Sequence, residues 1–244
     1  IIGARRECSP VCVSVSSSSS SLVMSWSSEI ESSQMIEHIV LFKIKDGADS
    51  DKIDFIFNGL NGLVRLDQVL QLSAGPVHQL RSASAFTHVL HSRYGSKQDL
   101  GAYAVHPDHV SLVKESAPIV EDIMAVDWIT DGTIAPPPSS VAKITLLKLK
   151  ENVPDEVKME IVEVIKGLNE KVSGIEQFTV GENFSPARAK GFSIGSIAYF
   201  RDVGEMDAHK ELVNLLKDKK VGDYVDDTIV VDFLQVPSVE TPQL

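Results

Sequence analysis

The sequence predicts an α+β protein built from two copies of one β-α-β-β-α-β unit. Two observations lead to this prediction. Short segments recur in the same order at a spacing of 105 or 106 residues along the 244-residue chain. Within each copy, apolar runs typical of strands alternate with segments whose apolar residues recur at helical spacing. We therefore expect two domains of about 95 residues each.

The repeat is visible in pairs of matching segments. Residues 38–43 align with residues 143–148, and Gly62-Leu63 aligns with Gly167-Leu168. The remaining pairs are Gly75 with Gly181, Phe86-Thr87 with Phe192-Ser193, and Val126-Asp127-Trp128 with Val231-Asp232-Phe233. Because all five pairs keep one order, the chain is interpreted as a tandem duplication.

The elements of the first copy follow from its apolar pattern. Ile36–Ile44 is apolar on both faces, which is typical of a strand buried on two sides. Asp49 or Ser50 then offers an N-cap for a first helix. The apolar stripe of that helix is Ile53, Ile56, Phe57, Leu60 and Leu63. The remaining elements are two middle strands over Val69–Gly75 and Phe86–Tyr94, a second helix over Asp99–Lys114 that is interrupted or restarted at Pro107, and a closing strand over Ile123–Ile129.

The second copy repeats this order, with a helical stripe at Val157, Ile161, Val164, Ile165 and Leu168. This order of elements is the ferredoxin-like split β-α-β arrangement. Helices on one face of such a sheet leave its other face apolar, and a second sheet is the obvious cover. We expect the two sheets to pair within the chain as a dimeric-type α/β barrel with helices outside. An eight-stranded barrel of that kind holds side chains or one small ligand.

The segments outside the two copies define the predicted domain limits. Residues 1–34 are rich in serine and poor in acids, with Arg5, Arg6 and a serine run from Ser16 to Ser21. This composition is that of an organelle transit peptide or of a disordered tail. The predicted layout is 1–34 tail, 35–131 first domain, 132–140 proline-rich linker, 141–236 second domain and 237–244 tail. The composition of the N-terminal tail predicts a chloroplast or cytoplasmic location. A peroxisomal location is less favoured, because the C-terminal residues Pro242-Gln243-Leu244 do not resemble the peroxisomal signal.

Composition excludes several classes of protein. The formal net charge is −11, which disfavours nucleic acids and anionic membranes as partners. No run of about 18 uncharged apolar residues is present to span a membrane. The two cysteines, Cys8 and Cys12, lie in the tail, so a disulfide framework, a thiolate metal site and cysteine catalysis are not expected in the domains. We expect no metal and no cofactor.

Six of the seven histidines lie in the first copy, and this makes it the candidate functional half. Strand alternation puts His38 on one face with Val40 and Phe42, and His88 on one face with Leu90. We predict that these five residues line a ligand cavity. The second helix would close that cavity with Tyr103 and His109.

Several segments carry a resemblance to a known family. In the first copy they are His38–Lys43, Phe86–Val89, Tyr103–His109 and Asp127-Trp128, and in the second copy Asn183-x-Ser185-Pro186 and Gly191-Phe192. With these segments the chain resembles the stress-responsive dimeric α/β-barrel family of plants and bacteria. Its two-copy layout is similar to that of the tandem plant members, most of which have no assigned reaction.

The resemblance also implies a candidate reaction. A plant polyketide (olivetolic acid) cyclase of this family uses a tyrosine and a histidine at the matching motif for an intramolecular aldol condensation. Carried over to this chain, His109 would be the base and Tyr103 the orienting donor. Two alternatives stay open: a cavity that binds a small apolar or aromatic molecule without reaction, and a structural or protective protein with a solid barrel.

The second copy lacks the histidine pattern. Lys143 replaces His38, Ile194 replaces His88, and residues 207–215 hold one histidine, His209, without the following proline. We therefore expect the second copy to supply the partner sheet and half of the barrel wall. The chain is expected to be an internal pseudo-dimer that is monomeric or weakly oligomeric.

Overall fold

The computed structural model describes residues 34–131, 140–208 and 219–235. Residues 1–33 of the predicted 1–34 tail, most of the linker, His209 and the C-terminal tail lie outside these residues. The described residues form two antiparallel sheets with helices on their outer faces, and the predicted α+β fold is confirmed. None of the described helices is long and apolar enough to cross a membrane.

The first half follows the predicted order, with one addition. Its elements are β1 Gln34–Ile44, α1 Ser50–Gly62, a 3₁₀ turn at Leu63–Arg65, β2 Gln71–Pro76, β3 Gln79–Leu80, β4 His88–Tyr94, α2 Lys97–Val105, α3 Pro107–Ser116 and β5 Val120–Asp131. The first sheet has the order β2-β4-β1-β5. The short β3 comes from the segment that the sequence predicts as a polar loop.

The second half repeats the arrangement and takes β3 into its own sheet. Its elements are β6 Val141–Leu149, α4 Asp155–Lys166, α5 Leu168–Lys171, β7 Gln177–Glu182, a 3₁₀ turn at Pro186–Arg188, β8 Phe192–Phe200, α6 Val203–Ala208, α7 Lys219–Gly222 and β9 Val225–Leu234. The second sheet has the order β3-β9-β6-β8-β7. Because Gln79 and Leu80 pair with Asp232 and Val231, the first half contributes an edge strand to the second sheet.

The second helix of the first half is divided at Pro107, as the sequence predicts. α2 ends at Val105, and His106 then has extended backbone angles. The His106 Nδ1 accepts a hydrogen bond of 3.2 Å from the Asp108 amide, so this imidazole caps α3. Pro107 occupies the first turn of α3, where its missing N–H is not needed. The break turns α3 so that His109 faces the sheet.

Large apolar side chains fill the space between the two sheets. Ile39, Leu41, Val89 and Trp128 of the first half pack with residues of the second half in one buried cluster. The second-half members include Ile144, Leu146, Ile197, Tyr199 and Phe233. The Trp128 ring lies against two glycines: a Cβ on Gly195 would be 2.5 Å from Cζ3, and one on Gly181 would be 2.9 Å from Cβ of Trp128. The barrel interior is therefore packed with side chains rather than open.

A buried ionic cluster also joins the two halves. The Glu37 carboxylate accepts hydrogen bonds from Arg93 Nη2 at 2.7 Å, from His91 Nε2 at 2.6 Å and from Thr179 Oγ1 at 3.2 Å. Arg93 Nη2 also donates to Tyr199 Oη at 3.1 Å. Burial opposes ionisation of Glu37, but Arg93 and His91 outweigh it and lower the pKa of Glu37 to about 2. Two of the five residues, Thr179 and Tyr199, belong to the second half.

Candidate functional site

A cavity of about 70 Å³ lies in the first half between the outer face of the sheet and helices α1, α2 and α3. Apolar side chains form most of its wall. They are Val40, Phe42, Ile56, Leu60, Leu90, Leu100, Ala104, Leu112, Val113 and Ile123. The polar groups of the lining are His38, Tyr103, His109, Ser116 and Arg188. The cavity is therefore an apolar space with a few polar groups on its wall, as small-molecule sites are.

Six of the seven residues predicted for the site line this cavity, and His88 does not. Strand alternation puts His38, Val40 and Phe42 on one face of β1, and the structure has all three on the helix-facing side. His88 shares that side of the sheet, but its ring stacks on Phe57 with 4.4 Å between ring centroids. Burial lowers the pKa of His88. Its position at the start of β4 places it beyond the cavity.

His38 forms a buried pair with Asp127. The two residues face each other across β1 and β5, and His38 Nδ1 is hydrogen-bonded to Asp127 Oδ1. Burial opposes ionisation of Asp127, but the hydrogen bond from His38 prevails and the pKa of this carboxyl is lowered. This contact fixes the orientation of the His38 ring in the cavity wall. Sequence reasoning missed Asp127, although its place opposite His38 follows once β1 and β5 are paired.

Second-half residues hold Asp127 in place. Asn183 Oδ1 accepts a hydrogen bond of 3.0 Å from the Asp127 amide, and the Phe184 amide donates to the Asp127 carbonyl at 3.0 Å. Asn183 also accepts from the Ser185 amide at 2.9 Å. The Asn183-x-Ser185-Pro186 segment of the second half therefore positions Asp127, a residue of the first-half site.

Tyr103 and His109 lie together on the helical wall. Their ring centroids are 4.5 Å apart. The Tyr103 side chain is buried, and its hydroxyl lies near that of Tyr94. Burial raises the pKa of Tyr103, so the phenol stays protonated and available as a donor.

His109 is arranged as a neutral imidazole. Its Nδ1 donates to the Ala104 carbonyl at 3.0 Å, which leaves Nε2 unprotonated. Burial lowers the pKa of His109, and the neighbouring His38 and Arg188 lower it further. A neutral imidazole next to a protonated phenol supplies both an acceptor and a donor at one wall of the cavity.

The described residues of the second half do not repeat the His38–Asp127 pair. In place of the His38–Asp127 pair, Lys143 Nζ lies 2.6 Å from Asp232 Oδ1. The helix-facing side of the second sheet is filled by a compact apolar cluster that includes Leu147, Ile161, Ile165, Ile194, Phe200 and Met206. Within the described parts of the chain, no group of three or more histidine, cysteine or acidic side chains is arranged to hold a metal ion.

The fold and the site define a class of protein, a tandem dimeric-type α/β barrel in which the first half holds an apolar cavity with a few polar groups and the second half closes the barrel. The chain belongs to the stress-responsive A/B barrel domain family, whose model matches residues 36–130 and 141–235. The resemblance seen in the sequence is thereby confirmed. The similarity to a polyketide cyclase stays a prediction.

Known proteins agree with this placement. One stress-response A/B barrel domain-containing protein of Arabidopsis thaliana is 68% identical over 219 residues, which is 87% of this chain and 82% of that protein. A second Arabidopsis thaliana protein, described in the same way, is 61% identical over 212 residues, or 84% of this chain and 99% of that protein. A crystal structure titled as a putative monooxygenase from Fusobacterium nucleatum covers 88% of this chain and 100% of its own, with 15% identity and a TM-score of 0.54. That last likeness shows the fold alone.

Proposed function

We propose that this protein binds a small apolar or aromatic molecule in the cavity of its first half. The observation that carries the proposal is the convergence of His38, Tyr103 and His109 on one enclosed apolar space. Tyr103 offers a hydroxyl donor, and the His109 imidazole keeps an unprotonated Nε2 as acceptor. A ligand with an apolar body and one carbonyl or hydroxyl group matches these polar groups.

The size of the cavity limits the ligand. Its volume of about 70 Å³ is well below the ~300–1,000 Å³ of pockets for drug-sized molecules. It is about half the ~150 Å³ of an engineered apolar cavity that admits benzene. A ligand larger than a few heavy atoms must therefore displace the mouth, where α3 presents the exposed Val113.

Methyl-resolved NMR of the full chain tests the proposal with phenol, benzaldehyde and toluene as probes. We expect saturable shifts at the methyl groups of Val40, Leu90 and Leu112, which line the cavity. Leu146 in the barrel interior and Leu147 in the second half serve as internal controls and should not shift. Shifts confined to the controls, or no saturable shift with any probe, would contradict binding in this cavity. A particle much larger than 26.6 kDa without binding would then favour the protective role.

A second candidate function is acid–base catalysis of the cyclase type. The specific observation that favours it is the unprotonated Nε2 of His109 beside the protonated Tyr103 phenol. His109 would take a proton from an activated methylene, and Tyr103 would donate a hydrogen bond to the adjacent carbonyl. The enolate carbon would then bond to a distal carbonyl carbon of the same chain, whose oxygen takes up the proton from His109.

This second candidate is tested by turnover of a linear polyketide thioester. His109→Gln and Tyr103→Phe should each lower the rate by about 10²–10⁴-fold, which is the usual contribution of a positioned acid or base. Their melting temperatures should stay close to that of the unsubstituted protein. An unchanged rate in both variants would exclude this pair as the catalytic groups and leave ligand binding as the proposed function.

A further inference from the structure

Each half of the chain places an arginine near the buried aspartate of the other half. Arg188 follows β7 in the second half and lies close enough to Asp127 for its charge to lower the pKa of that carboxyl. Arg81 follows β3 in the first half, and its Nε donates to Asp232 Oδ2 at 2.5 Å. Asp127 and Asp232 are matching positions of the repeat. The two arginines therefore approach matching aspartates, although the arginines themselves do not occupy matching positions of the repeat.

The two arginines differ in how their charges are compensated. Arg81 forms ion pairs with both Asp232 and Asp207, and Lys143 completes the group through Asp232. The charge of Arg81 is therefore compensated, since two cations and two carboxylates form this group. Arg188 forms no hydrogen bond or ion pair with any residue that the structure describes, and its nearby carboxylate, Asp127, is already bonded to His38.

The free guanidinium belongs to the cavity lining. Arg188 is exposed on one side and lines the cavity on the other, next to His109. His109 is neutral and Tyr103 is a protonated phenol, so neither compensates the charge of Arg188. A guanidinium is a planar fork of donors that matches a carboxylate in two parallel hydrogen bonds.

Resting on the proposed function, we propose that the ligand of this cavity carries a carboxylate, which Arg188 of the second half binds at the cavity mouth. The apolar body of the ligand then lies among Val40, Phe42 and Leu90. The site is therefore shared by the two halves. The second half contributes the residue that selects anionic over neutral ligands.

The test compares two probes of nearly the same shape, benzoate and benzyl alcohol, by calorimetric titration of the full chain at neutral pH. We expect benzoate to bind at least 10-fold more tightly than benzyl alcohol, since hydrogen bonds between charged groups are markedly stronger than neutral ones. Arg188→Gln should remove this preference while benzyl alcohol binding changes by less than about twofold. Arg201→Gln removes an exposed arginine that pairs with Glu205 elsewhere in the second half, and it should leave the preference intact.

The outcomes separate this inference from the proposed function. Equal binding of the two probes by the unsubstituted protein overturns the carboxylate inference and leaves cavity binding in place. A benzoate preference that survives Arg188→Gln overturns the role of Arg188, because another cation would then select the anion. No binding of either probe, together with no methyl shift at Val40 or Leu90, overturns the proposed function as well. The inference is supported if Arg188→Gln loses the preference for benzoate and Arg201→Gln keeps it.

Discussion

Replacing Glu37 by glutamine probes the buried ionic cluster between the two sheets. Glutamine keeps the size of the side chain but removes its negative charge, so the Arg93 guanidinium would remain in the barrel without a counter-ion. Arg93 is 1% exposed and has no access to bulk water that could compensate. The His91 and Thr179 donors would also lose the charged oxygen that they now bond.

The expected loss of stability follows from the pKa of Glu37. Its ordinary value is 4.5 and its value in the fold is about 2. At about 1.4 kcal/mol for each pKa unit, ionised Glu37 stabilises the fold by about 3 kcal/mol at neutral pH. Removing one partner of a buried pair usually costs about 3–5 kcal/mol. For a chain of this size, where 1 kcal/mol corresponds to about 2–4 °C, the melting temperature should fall by about 6–20 °C.

The assay is urea unfolding of the full chain, followed by circular dichroism, as a function of pH. Because the pKa of Glu37 is lowered in the fold, its contribution is complete above pH 4.5 and is lost as the pH falls towards 2. The variant should lack this acid-dependent part. Glu121→Gln is the control, since Glu121 pairs with Lys43 at an exposed site, where solvent screens the interaction and its removal should change stability little. A Glu37→Gln variant within about 1 kcal/mol of the unsubstituted protein would refute the reasoning, since a broken buried pair costs several times that.

Three further perturbations address the cavity and the barrel. Tyr103→Phe should lower the free energy of unfolding by at most about 1.5 kcal/mol, because the lost hydroxyl has only a neutral neighbour, the Tyr94 hydroxyl; urea titration measures this. Since burial lowers the pKa of His109, the folded protein should lose stability as the pH falls below 6.5, and His109→Gln should reduce that slope in the same titration. Gly195→Ala should lower the free energy of unfolding by about 1–3 kcal/mol, because the new Cβ would meet the Trp128 ring. The same substitution in a Trp128→Phe background should lower it by less. Equal losses of stability in both backgrounds would exclude this contact as the cause.

Much of the site follows from the periodicity of the sequence. Alternation along β1 places His38, Val40 and Phe42 on one side of the sheet, since successive side chains of a strand point to opposite faces. The same rule puts His88 on that side, but it does not say how far along the sheet the cavity extends. The stacking of His88 on Phe57 is a packing result that periodicity does not contain.

The residues that sequence reasoning missed are those that depend on contacts between distant segments. Asp127 meets His38 only through the pairing of β1 with β5, which are 89 residues apart at this contact. Arg188 reaches the cavity from the other half of the chain. Glu37 and Arg93 lie on the interior side of the first sheet, where an apolar pattern predicts a hydrophobic core and the two charges stabilise each other instead. The alternation of His91 and Arg93 along β4, on the same face as Glu37 in β1, was the signal available.

The contact of Trp128 with Gly195 explains why a second half without the histidine pattern is still needed. In a barrel of two identical chains, the same sequence forms both sides of the interface. A bulky residue on one chain must therefore fit against the same set of residues on the other chain. At the position that matches Gly195, the first half carries Val89. A Cβ alone on Gly195 would lie 2.5 Å from the Trp128 ring, and valine is larger still. Two first halves would therefore clash. Joining the copies in one polypeptide ends the demand for self-complementarity, and each half has become the specific counterpart of the other.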